Sequence, residues 1–300
     1  MATSSYGFPS SEGMDLNNVN EMTPEEKKAF IASKIARRHG KLMYPISAYS
    51  FLMENRPDML KYHFRQMQFL HSFPKDEPLG RPTTCLTMLH WYTCNRVNEG
   101  IIHEVRSSQE VGATKAQLNE IFGLAFMHSG PSGMGEAYQQ AFDYMETYQD
   151  PVRRIAWPRG WAPDPAAFRS GLDFDDPELA EREKQMLFGW YEKTIGYVPR
   201  SVALLTRINP RFMKAHRAKF EGAMRTGALP KQLVPYILIH YNMNRGFREG
   251  IREATLLAKA WGMRVEHVHA ALTLGTGYMA GLDALSIVDE AIGDVLEAWE

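Results

Sequence analysis

Apolar residues spaced three and four apart, cut by short polar and proline–glycine segments, set the pattern of this 300-residue chain. In the run that begins at Lys115, Leu118, Ile121, Phe122 and Ala125 fall on one helical face. No stretch alternates apolar and polar residues in a way that predicts a strand. Thr23-Pro24-Glu25-Glu26 and Thr114-Lys115-Ala116-Gln117 read as capping boxes, each starting a helix. Helices are predicted over residues 23–38, with Gly40 as the stop, over a short piece near 43–47, and from Asn55-Arg56-Pro57-Asp58 to about 71. Residues 75–82 read as loop, followed by a helical run over 83–112 in which Gly100 is a break or a close-packing point. His128-Ser129-Gly130-Pro131-Ser132-Gly133 interrupts the next helix, and a further one is expected over 134–149. Helices return at Asp176-Pro177-Glu178, at Asn209-Pro210, after Leu229-Pro230, over 240–262 and over 265–274. The fold class this implies is all-α.

The pattern is written twice. At an offset of 150, His90 meets His240, Trp91 meets Tyr241, Glu99-Gly100-Ile101 meets Glu249-Gly250-Ile251, and Gly112 meets Gly262. At 153, Arg56-Pro57-Asp58 meets Asn209-Pro210-Arg211, and His63 meets His216. The organisation expected is a mobile tail (1–22), a first repeat (23–149), a linker rich in Pro and Trp (150–176) and a second repeat (177–300). Trp157 and Trp161 suggest that the linker is pinned to a surface and covers a pocket. The copies differ at one telling place, where His103 corresponds to Glu253.

Hydrophobic residues make up 44% and charged residues 23%, and the net charge is -1, so no global field favours nucleic acid or an anionic membrane. No run reaches the roughly 18 apolar residues that span a bilayer, and the first twenty residues have no signal-peptide pattern. Two cysteines, Cys85 and Cys94, make no disulfide framework. On one helix, nine residues apart, they would stand about 13 Å from one another, too far to bond. The expectation is a cytoplasmic protein.

Glu99-x-x-x-His103-Glu104 ahead of Gly112-Ala113-Thr114, an apolar helix ending near Gly130-Pro131, Gly196-Tyr197-Val198-Pro199 followed by Asn209-Pro210-Arg211-Phe212-Met213, and the apolar helix after Leu229-Pro230 together resemble the carboxymuconolactone decarboxylase family. Its fold is shared with the alkylhydroperoxidase D-like proteins. The resemblance covers most of residues 40–145 and 195–290. It implies a tandem pair of helical domains, sites built between subunits, and a homo-oligomer, trimer or dimer. The redox branch of the family carries Cys-x-x-Cys with a His four residues on. Here Glu99 stands at the second Cys and His103 at the His, which disfavours a thiol peroxidase.

Glu99 and His103, four apart on one helical face, can form a carboxylate–imidazole pair for acid–base catalysis. The catalytic set expected is Glu99, His103, His90 and His128. Arg96 and Arg245 are expected to hold a substrate carboxylate, with Trp91, His240 and Tyr278 lining the site. Around Glu99 and His103 no His-x-x-x-His or Glu-x-x-His pair occurs, so neither a metal nor another cofactor is expected. Gly275-Thr276-Gly277 lacks a βαβ context and reads as helix packing rather than a dinucleotide loop. Seventeen methionines suit an apolar, aromatic-derived substrate. The function expected is a cofactor-independent lyase acting on a small carboxylated lactone or aromatic ring-cleavage product. A non-catalytic module that binds a ligand or assembles with partners is the alternative.

Overall fold

A computed structural model describes residues 80–224 and 227–299, and before them only positions 23, 25, 26, 51, 52, 55, 56, 59, 63, 66 and 70. The chain divides into two compact units, residues 1–75 and 76–300. In the first unit the capping box at Thr23 is present: Glu26 N–H donates to Thr23 Oγ1 (3.2 Å) and Thr23 N–H to Glu26 Oε2 (2.7 Å). The tail, the helix over 27–38, Gly40, the piece near 43–47 and the loop positions 75–79 lie outside the described residues.

The second unit is all-α, with ten α-helices and no strand among its described residues. They are α1 (Gly80–Asn95), α2 (Asn98–Glu110), α3 (Lys115–Glu146), α4 (Glu181–Ile195), α5 (Arg200–Ile208), α6 (Pro210–Ala223), α7 (Leu233–Arg245), α8 (Arg248–Ala260), α9 (Val265–Gly275) and α10 (Asp283–Glu297). A π-helical turn (Thr276–Ala280) joins the last two. None is long and apolar enough to cross a membrane. Helix α1 packs against α2 and α3, and α7 against α8 and α9. Contact between α1 and α7 joins the two sets. One core runs through both, with Leu86, Leu89 and Ile101 from the first and Ile237, Ile239 and Met243 from the second.

The helix limits recur at the same offset as the sequence. Asn95 answers Arg245, Asn98 answers Arg248, Glu110 answers Ala260, and Lys115 answers Val265. The turn closing α1 recurs too: Val97 N–H donates to Tyr92 O (2.9 Å), and Phe247 N–H to Asn242 O (3.0 Å). Both are left-handed helix ends, and the left-handed residue is Arg96 (φ 56°) in one and Gly246 (φ 63°) in the other.

Several boundaries depart from the sequence expectation. Gly80, Arg81 and Pro82 are the first turn of α1 rather than loop, because a proline there gives up only an N–H that has no partner anyway. Of the two readings of Gly100, close packing is the one found, since an added Cβ would run into the Tyr92 ring, and the break falls at Arg96–Val97. Asp176 starts a turn, its carboxylate accepting from Glu178 N–H (2.9 Å), and the helix waits until Glu181. Three other signals hold. Thr114 and Gln117 form their box, Asn209 caps α6 through Phe212 N–H, and Gly130 (φ 61°) with Pro131 kinks α3.

The linker is tied down along its length. Trp161 is buried and stacks on Trp157. Gln232 donates to Gly160 O (2.9 Å) and Lys231 N–H to Ala162 O (3.0 Å). Arg217, buried in α6, donates to Phe168 O (2.5 Å), and its Glu221 partner accepts from Ser170. A chain of polar bonds, and not only two tryptophans, pins this segment.

Candidate functional site

The crossing of α1 and α7 gathers most of the ring-bearing residues singled out in the sequence. His90 meets Tyr241 edge to face (5.3 Å between ring centres), and Trp91 meets His240 the same way (5.8 Å). Each half thus lends its histidine to the aromatic residue of the other, a reciprocal contact like that across a two-fold interface. His90 and His240 are fully buried. Burial, helped by His128 and His240, holds His90 well below the usual imidazole range, and burial pushes His240 down to about 3. Both are therefore neutral near pH 7.

The two sides of the crossing then diverge. On the His90 side, His128 reaches in from α3, its Nδ1 3.2 Å from His90 Nε2 and 3.0 Å from Leu124 O. Cys94, one turn beyond His90, sets its Sγ 3.6 Å from His90 Nε2 and 3.8 Å from Ala125 O. Tyr241 lies against His128 (4.7 Å between ring centres), and the Arg245 charge acts on both Cys94 and Tyr241. Burial raises the Cys94 thiol to about 12, so it is not a free thiolate near neutral pH. Burial also lowers the His128 imidazole, although the residue keeps exposed surface.

On the His240 side the corresponding residues are Asn244 and Tyr278. Asn244 donates to His240 O (2.7 Å). Neither ring nitrogen of His240 has a hydrogen-bond partner among the described residues. Tyr278 sits half-buried in the π-helical turn.

The remaining expected residues lie elsewhere. Glu99 is exposed in the first turn of α2, and no hydrogen bond or ion pair joins it to His103 among the described residues. His103 lies 3.9 Å from Glu104 and 3.5 Å from Ser107. The carboxylate at its side is the neighbouring residue rather than the one a turn earlier. Arg96 is exposed at its left-handed turn. The arginines around Glu249 pair outside it, Arg248 with Glu290 and Arg252 with Asp294 (2.7 Å). Glu249 instead accepts from Arg200 N–H (2.9 Å) at the start of α5.

Sequence reasoning left Cys94 and Tyr241 out of the site. His90-x-x-x-Cys94 does carry a signal, an imidazole and a thiol one helical turn apart on one face. Against known proteins, the chain matches no family model, no curated protein and no solved structure.

Proposed function

We propose that this chain is a lyase of the carboxymuconolactone decarboxylase type, acting by proton transfer on a small carboxylated molecule in a cytoplasmic homo-oligomer. The observation that carries this reading is the His90–His128 contact, one imidazole buried and the other open to solvent, with Tyr241 and the Arg245 charge alongside. A proton on His128 Nδ1 serves Leu124 O and His90 Nε2 together, which turns the Nε2 lone pair outward. That nitrogen takes a proton from solvent and passes it to substrate carbon. His90 is a positioning residue behind it. Arg245 holds a substrate carboxylate, and the Tyr241 hydroxyl donates to the enolate oxygen. Breaking the C–COO⁻ bond releases CO₂ and leaves its electron pair on the enolate, which collapses as carbon is protonated.

The test is CO₂ release from a panel of carboxylated lactones and ring-cleavage acids, measured on chelator-stripped protein. Turnover should fall at least 100-fold in His128→Gln and persist in Glu99→Gln, since Glu99 stands apart from the pair. Loss in Glu99→Gln with an unaffected His128→Gln would return the chemistry to the Glu99–His103 face. Silence across the whole panel would count against the lyase.

A further inference from the structure

His90, Cys94 and His128 form the one group of three metal-ligating side chains among the described residues, their ligand atoms all within 4.8 Å of one another. The separations carry more information than the grouping. A tetrahedral ion with metal–nitrogen bonds near 2.05 Å and a metal–sulfur bond near 2.3 Å sets two nitrogens about 3.3 Å apart and nitrogen from sulfur about 3.5 Å apart. Here His90 Nε2 stands 3.2 Å from His128 Nδ1 and 3.6 Å from Cys94 Sγ. Two of the three edges of a ligand triangle are at the size a bound ion requires.

We propose that His90 Nε2, Cys94 Sγ and His128 Nδ1 bind one transition-metal ion of the zinc class, leaving a fourth position for water or a ligand. Two imidazoles and a thiolate are a borderline-soft donor set, which selects zinc, cobalt(II) or copper over magnesium or calcium. The frame is rigid where it has to be. His90 and Cys94 are one turn apart on α1, and His128 is held two residues before the Gly130 kink of α3. Binding is balanced in protons: the sulfur–hydrogen bond breaks, its proton leaves to solvent, and the sulfur–metal bond forms. The His128 proton moves from Nδ1 to Nε2, which releases the Leu124 carbonyl. The second half supplies an internal control. Its corresponding residues are His240, Asn244 and Tyr278, with no thiol and one imidazole, so the crossing of α1 and α7 takes one ion and not two.

This inference rests on the coordinates of three side chains, not on the lyase reading. Metal ligation at His128 Nδ1 places the proton on the Nε2 whose lone pair the relay needs, so the ion shuts off the proposed proton transfer.

The experiment is a cobalt(II) titration of the full, chelator-stripped chain in reducing buffer, followed by zinc competition. Expected are one cobalt per chain, a thiolate-to-cobalt charge-transfer band in the near ultraviolet and visible bands of tetrahedral intensity, all lost on adding zinc. Cys94→Ser and His90→Gln should abolish the near-ultraviolet band, while Cys85→Ser and His240→Gln should keep it. Circular dichroism identifies variants that fold. No band in the folded parent protein, or a band that survives Cys94→Ser, overturns the site. Turnover measured on stripped and zinc-loaded protein keeps the two readings apart. Cobalt binding without turnover in either form leaves the metal site standing and sinks the lyase. Turnover without cobalt binding does the reverse.

Discussion

Glu253 stands where the first half carries His103, and its surroundings make it a test of how the two halves differ. Burial, reinforced by Glu249 and only partly offset by Arg217, raises its carboxyl from 4.5 to about 7. In the unfolded chain the group ionises near 4.5, so between those two values the folded protein keeps a proton that the unfolded chain has lost. Stability is therefore unaffected by Glu253 below pH 4.5, falls as pH rises through the window, and is lowest above about 7. A gap of that width corresponds to roughly 3 kcal/mol. Water at the partly open side of the residue reduces it to about 1–3 kcal/mol. Glu253→Gln mimics the protonated acid at every pH. Urea denaturation at pH 4.5 and pH 8 should show the two proteins alike at the lower value and the glutamine variant more stable by about 1–3 kcal/mol at the higher. Equal midpoints at pH 8 would refute the reasoning and mean that the carboxylate is solvated or paired in the folded state.

Three further outcomes follow from single residues. Arg96→Gly should stabilise the protein by about 0.5–1 kcal/mol, because Arg96 holds the left-handed position that Gly246 occupies in the second half; a lower unfolding midpoint would contradict this. His240, at about 3 when folded against 6.5 when free, contributes stability that is present above pH 6.5 and lost as pH falls toward 3. Its share is about 1.4 kcal/mol per pH unit, so His240→Leu should flatten the stability-against-pH slope between pH 6 and 4 by nearly one proton. Arg217→Lys should cost about 2–4 kcal/mol, since a lysine cannot reach Phe168 O, Tyr191 Oη and Glu221 together while lying over Trp190. Denaturation followed by tryptophan fluorescence measures it, and a loss under 1 kcal/mol would show that water or a neighbour replaces those bonds.

Local signals in the sequence were enough for most of the helices and several of their caps. They were not enough for α5 or for the break between α7 and α8, which falls inside the run expected over 240–262. Leu118, Ile121, Phe122 and Ala125 share a face whatever they pack against, and Thr114 with Gln117, or Asn209 with Pro210, satisfies helix-end N–H groups from within a few residues. The offset of 150 is a comparison of the chain with itself, and helix limits in the second unit follow it. Where a side chain chose between two local partners, sequence reasoning fell short. Asp176 took a turn instead of a helix, and the α1 break fell at Arg96, while the Tyr92 ring packs over Gly100. The candidate site lies further from local control. His90 and Cys94 share a helical face by spacing alone, but His128 reaches them from a helix 38 residues on, and Tyr241 from the other half of the chain. Glu99 and His103 share a face by the same arithmetic, yet Glu99 lies in solvent and Glu104 stands beside His103. Periodicity says which side chains can point together. Which of them leave water, and what meets them there, is decided by the packing of α1 on α3 and α7, because burial sets the charge of an imidazole, a thiol or a carboxyl and no local pattern sets burial.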